Sequence, residues 1–179
     1  MRIIAGRLKG TRLFAPKNDR IRPTSDRVRE FIFSYLGNYV DAAQVLDLFC
    51  GTGAMGLEAW SRGAREVTFV DQSQQAIEIL YKNLHKVGLE IKPVKRNVES
   101  YLKQIPDDAV FDLILCDPPY AFQYFEQILQ LVLDRDVLAP EGRIIYESAA
   151  RQASPSVPGL SMVKEKIMGD TKITVYEKL

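Results

Sequence analysis

A chain of 179 residues, 46% hydrophobic and 26% charged, is long enough for one ordinary core and short for two, so a single soluble domain over residues 1–179 is expected. No apolar run approaches the roughly 18 residues of a membrane span, and the opening MRIIAGRLKG lacks the apolar stretch of a secretory signal, which makes the expected location cytoplasmic. The formal net charge of +1 conceals an asymmetry: residues 1–30 hold nine Lys and Arg against three acids, a local +6 that leaves −5 for the rest.

That basic opening reads as an arm suited to a polyanion, because each neutralised phosphate releases counterions. The stretch TSDRVREFIFSYLG then predicts a helix capped near Thr24 or Ser25 and ended near Gly37, with Val28, Phe31, Ile32, Tyr35 and Leu36 facing inward. Residues 1–37 thus form a basic segment plus a helix. From Val45 onward, short apolar runs alternate with longer amphipathic segments, the pattern of βαβ units. Strands are expected at 45–49, 66–70, about 93–95, 111–116 and 142–147, with helices in the gaps. One helix, over 73–87, places Ala76, Ile77, Leu80 and Leu84 on one face between a Ser73 cap and a Gly88 stop; another runs over about 122–133 before APEG turns the chain. The chain ends with SMVKEKIM and TKITVYEK around a Gly169-Asp170 turn, an expected hairpin. The fold class is therefore α/β, a mostly parallel seven-stranded sheet with helices on both faces and a C-terminal antiparallel hairpin.

Cys50 and Cys116 lie far apart with no metal-ligand spacing, and His85 sits on a helix as a surface residue. Neither a metal site nor a covalent nucleophile is expected.

After the first strand, Gly51-Thr52-Gly53-Ala54-Met55-Gly56 satisfies the glycine pattern of a nucleotide loop, and Asp71 follows Gly51 by twenty residues. The loop alone suits a dinucleotide or another adenosine ligand. Asp47, four residues ahead of Gly51, tips the balance: its carboxylate favours a ligand ammonium and gives a pyrophosphate nothing. S-adenosylmethionine fits, with Asp71 accepting from the ribose hydroxyls and Asn97 placed for the adenine.

The fourth strand stops at Asp117-Pro118-Pro119-Tyr120. Two consecutive prolines cannot continue a ladder, and they fix the backbone so that the Pro118 carbonyl is held in one orientation beside the Asp117 carboxylate. Two acceptors match the two hydrogens of a planar exocyclic amine, and Tyr120 offers a face on which its ring can stack.

With these residues together, the chain resembles class I (Rossmann-like) methyltransferases, and more narrowly the RsmD family of bacterial small-subunit ribosomal RNA guanine-N2 methyltransferases. The resemblance runs through MRIIAGRLKGTRL, RPTSDRVREFIF, VLDLFCGTGAMGLEAWSRGA, VTFVDQS, LILCDPPY and GDTKITVYEK. It implies methyl transfer from S-adenosylmethionine to a guanine amine of ribosomal RNA within the small subunit or its assembly intermediate. Asp117, Pro118, Pro119 and Tyr120 would then hold the amine, and Asp47, Gly51, Gly53, Asp71, Gln72 and Asn97 would line the cofactor site. Arg2, Arg7, Lys9, Arg12 and Arg22 would meet RNA. The motifs are shared with enzymes acting on DNA adenine or protein glutamine, so those targets stay open, as do an NAD-dependent oxidoreductase and a non-catalytic RNA-binding protein on the same fold.

Overall fold

The apolar runs become neighbours in one sheet. In the computed structural model, which describes residues 1–16, 25–119, 122 and 124–179, the elements are α1 (Asp26–Leu36), β1 (Gln44–Leu48), α2 (Ala54–Ser61), β2 (Glu66–Asp71), α3 (Gln74–Lys86), β3 (Val94–Lys95), α4 (Val98–Gln104), β4 (Phe111–Cys116), α5 (Phe125–Asp134), β5 (Leu138–Ala149), β6 (Leu160–Met168) and β7 (Thr171–Lys178). The strand order is β3-β2-β1-β4-β5-β7-β6. The first five strands pair in parallel, and β7 slots antiparallel between β5 and β6. The winding reverses between β1 and β4, and in open α/β sheets the crevice at such a reversal, beyond the carboxyl ends of the strands, receives the ligand.

Two apolar layers hold the sheet. Val45 on β1 packs with α1, α2 and α3 through Ile32, Phe33, Leu57 and Leu80. Its alternates Leu46 and Leu48 pack with α4 and α5 through Leu102, Ile128 and Leu129. The helix starts are set by side-chain oxygens: Ser25 Oγ accepts from the Val28 amide at 3.2 Å, Ser73 Oγ from Ala76 at 3.3 Å and Asn97 Oδ1 from Ser100 at 3.1 Å. Gly37 and Gly88, both at positive φ, follow α1 and α3 as expected.

Three expectations change. On α1, Tyr35 is exposed rather than inward, and Phe33 is buried in its place. The fifth strand is longer than 142–147: Phe111 pairs with Leu138 and Leu113 already pairs with Arg143, so the APEG turn is a bulge inside the strand, with Glu141 at φ 58. The basic opening is not a free arm. Its backbone folds back on itself, with Ile3 N donating to Thr11 O at 3.0 Å and Leu13 N to Met1 O at 3.1 Å, and it buries Ile3 and Leu13. Glu58 on α2, fully buried, fixes it: the carboxylate accepts from the amides of Ile4 at 2.7 Å and Ala5 at 3.1 Å and from Arg62 Nε at 2.7 Å. Arg29, counted in the basic segment, is wholly buried and donates to Arg2 O and Asp26.

Candidate active site

β1 delivers the glycine loop into the crevice. Phe49 leaves the strand at φ 58, an unusual conformation for a bulky side chain, and Gly51 and Gly53 follow at φ 52 and 79. The loop lets α2 approach the sheet closely. A Cβ on Gly53 would lie 2.3 Å from Leu80 Cδ1, and one on Gly56 would lie 2.3 Å from Phe69 Cε1 and 2.9 Å from Asp47 Oδ2. Gly51 differs: its side is open, with only Phe49 O as near as 4.0 Å. A side chain at Gly53 or Gly56 would collide with the packed layer, whereas Gly51 is where backbone borders free space.

Three carboxylates surround that loop. Asp47 shares the sheet face of Val45, is 2% exposed, and accepts from the Gly56 amide at 2.9 Å. Burial lifts its pKa to about 8; the Gly56 amide opposes the rise, and the charges of Asp117 and Asp71 add to it. Asp71, ending β2, accepts from Gly51 N at 2.9 Å through one oxygen and from Ser73 N at 2.8 Å through the other. Each oxygen keeps a lone pair for a ligand hydroxyl. Next to it, Gln72 Oε1 accepts from Asn97 Nδ2 at 3.3 Å, so Asp71, Gln72 and Asn97 form one rim. The Asn97 carbonyl oxygen is committed to capping α4 and one amide hydrogen to Gln72, which leaves the second amide hydrogen available to a ligand.

The register pairing Leu48 with Cys116 carries Asp117 to the far side of the glycine loop. Asp117 is half-buried, Pro118 buried and Pro119 exposed. Pro119 O accepts from the Phe122 amide at 2.8 Å, turning the chain back over β1. There Phe122 meets Phe49 edge to face at 5.1 Å, and Tyr124 meets Phe122 at 6.1 Å. Tyr120 lies outside the described residues, as does Arg22. The sequence reading missed Phe49, Phe122 and Tyr124; the only trace they leave is an aromatic next to each strand-end motif.

The other expected RNA residues are spread over the folded-back segment. Arg2, Lys9 and Arg12 are exposed, Arg2 standing 3.6 Å from Asp26. Arg7 is engaged: its guanidinium donates to Trp60 O at 3.0 and 2.7 Å and lies over the Trp60 ring at 4.4 Å, closing the C-terminal end of α2. Cys50 and Cys116 are buried, and burial raises both thiols, which keeps them from acting as nucleophiles. His85 is exposed on α3.

A family model described as "Conserved hypothetical protein 95" matches residues 1–177. The chain belongs to this family. Among its relatives, the chain is 35% identical to "Ribosomal RNA small subunit methyltransferase D" of Escherichia coli (strain K12), covering 99% of this chain and 90% of that protein. It is 31% identical to the protein of the same name from Haemophilus influenzae, covering 99% and 93%. A solved chain described as "Putative methyltransferase yhhF from Escherichia coli" superposes with a TM-score of 0.87 at 34% identity over 99% of this chain and 97% of that one. The family membership agrees with the RsmD resemblance of the sequence, and the match spans both the folded-back basic segment and the terminal hairpin.

Proposed function

We propose that the protein transfers a methyl group from S-adenosylmethionine to the exocyclic N2 amine of a guanine in small-subunit ribosomal RNA. The observation that carries this reading is the convergence of Asp47, Asp71 and Asp117 around a glycine loop at the β1–β4 crevice. Three carboxylates in one crevice favour a cationic ligand and oppose a pyrophosphate, which argues against a dinucleotide. The donor set fits: Asp47 for the ammonium, Asp71 for the ribose hydroxyls, the Gln72–Asn97 rim for the adenine, and the open side of Gly51 for close approach. When bound, S-adenosylmethionine supplies a methyl carbon on a sulfonium, open to in-line displacement.

The chain's own residues then work on the amine. Its nitrogen lone pair is delocalised into the guanine ring and attacks poorly. The Asp117 carboxylate and the Pro118 carbonyl accept its two hydrogens, and these bonds strengthen as the nitrogen becomes tetrahedral, so they favour the transition state over the ground state. Stacking of the guanine on Tyr120 contributes about 1–3 kcal/mol, and holding the amine and the methyl carbon in line lowers the barrier by about 7–11 kcal/mol in well-aligned systems. The surplus proton of the methylated amine passes to Asp117 or to water.

The relatives named as ribosomal RNA small subunit methyltransferases support the substrate class, and a ribosomal RNA substrate supports a cytoplasmic location. Among the described residues no helix is long and apolar enough to cross a membrane. The test is transfer of labelled methyl to ribosomal RNA and to small subunits, followed by nucleoside analysis. Label in N2-methylguanosine is expected; label in another nucleoside, or nicotinamide binding without S-adenosylmethionine binding, overturns the reading.

A further inference from the structure

On the outer side of α3, away from the carboxylates, lies a groove of about 550 Å³ lined by Phe14, Tyr81, Lys82, His85 and Lys86. Two features set it apart from an ordinary surface dent. Both rings are open, Phe14 49% and Tyr81 44% exposed, although residues of this size normally bury most of their area. Cations flank them: Lys86 Nζ stands 4.9 Å from the Phe14 ring centre, and neither Lys82 nor Lys86 joins an ion pair among the described residues. The one acid of α3, Glu78, accepts from Gln74 at 2.9 Å a turn away.

The groove is also built rather than incidental. Phe14 is held by a single buried amide, Asn83, which is fully inaccessible. Asn83 Oδ1 accepts from Phe14 N at 2.7 Å, and its Nδ2 donates to Phe14 O at 3.1 Å and to Thr52 O at 2.9 Å. One side chain thus ties the backbone of an exposed aromatic to the glycine loop. A buried amide carries a desolvation cost, and here it fixes the ring's place beside α3 relative to the cofactor crevice.

We infer that this groove is a docking site for single-stranded RNA, in which an unpaired base of the substrate stacks on Phe14 and Tyr81 while its neighbouring phosphates meet Lys82 and Lys86. Exposed rings interleaved with cations are the surface chemistry that single-stranded nucleic acid uses, since every base presents a π-face and every phosphate a charge. The inference rests on the RNA substrate of the proposed function, and it extends the RNA contact from the folded-back segment, where Arg12 lies two residues before Phe14, onto α3. Neither Tyr81 nor Lys82, His85 or Lys86 belongs to the basic segment that charge alone singles out. Engagement there while a guanine enters the Asp117 crevice gives the enzyme a second hold on the strand, through the element that Asn83 couples to the loop.

The test uses the full chain and a short single-stranded RNA carrying one 2-aminopurine, whose fluorescence falls on stacking. The wild type is expected to bind with quenching. Tyr81→Ala and Phe14→Ala are each expected to lose quenching and about tenfold in affinity, with Tyr81→Phe restoring both. The double change Lys82→Gln with Lys86→Gln is expected to flatten the salt dependence by about 1.4 log units per log unit of salt, two single-strand phosphate contacts. S-adenosylmethionine affinity and melting temperature, measured on every variant, should match the wild type. Unchanged RNA affinity, quenching and salt slope in all variants overturn the inference, as does a groove that pairs two copies into a dimer lost in Tyr81→Ala while RNA binding persists. Methyl transfer to subunits by the wild type is read in parallel. Transfer with unaffected variants sinks the groove alone; no transfer with impaired variants sinks the methyltransferase reading alone.

Discussion

The buried Asp47 carboxylate hangs on the Gly56 amide at 2.9 Å, so an acid inside the sheet-helix layer has one backbone donor for company and two other carboxylates for neighbours. Its pKa of about 8 against an ordinary 3.8 means the folded protein keeps this proton long after the unfolded chain has shed it. The native state binds more protons between those values, so the Asp47 contribution to stability is intact below about pH 4 and is lost as pH rises to 8. Asp47→Asn keeps an acceptor for Gly56 and removes the charge. The ligand-free variant is expected to melt above the wild type at pH 8, by an amount on the order of a few kcal/mol at most, and together with it at pH 4. A pH-independent difference in melting temperature would show that Asp47 is ionised throughout.

The same proton reports the cofactor. A ligand that brings positive charge to Asp47 favours its ionised form, so binding at pH 7 should expel about one proton. Calorimetry in two buffers of different ionisation enthalpy measures that number directly. Affinity is expected to climb with pH up to about 8 and then level, and both effects should vanish in Asp47→Asn. Binding without proton release would move the ligand's charge away from β1.

The crevice was legible because its parts are local. β-branched runs announce strands, two prolines announce the stop after β4, and Ser73 announces the start of α3, each within a few residues. The hairpin at Gly169 is of the same kind. What escaped was non-local: the basic opening looks free until Glu58, more than fifty residues on, is seen to accept the Ile4 and Ala5 amides. Phe49 escaped for another reason, since no side-chain pattern signals a left-handed phenylalanine held against Phe122. The bulge in β5 depends on pairing with β4, which a strand's own composition does not encode.

Glu58→Gln isolates that non-local docking. The carboxylate receives only donors, from Ile4, Ala5 and Arg62, and a glutamine must turn an NH2 toward at least one of them. A cost of about 1–3 kcal/mol is expected, concentrated in residues 1–13 rather than in the sheet. Hydrogen exchange checks it: the amides of Ile4 and Ala5 should exchange much faster while those of β1 and β4 keep their protection. Uniform acceleration would mean the segment and the sheet open together.

Asp117→Asn separates the two sides of the crevice. In the proposed reaction Asp117 acts on the amine, and losing the charge-assisted acceptor should lower kcat about 10²-fold, the scale of removing one transition-state hydrogen bond in a preorganised site. The cofactor side responds in the opposite sense. Asp117 is one of the charges that raise Asp47, so its neutralisation lowers the Asp47 pKa and leaves more carboxylate ready for a cation at pH 7. Because the same change removes one of the three charges that favour a cation, the two effects oppose: affinity for S-adenosylmethionine should stay near the wild-type value while turnover collapses, and the pH at which binding levels should move below that of the wild type. Equal losses in kcat and cofactor affinity would place Asp117 on the cofactor instead, and with it the amine would need another acceptor.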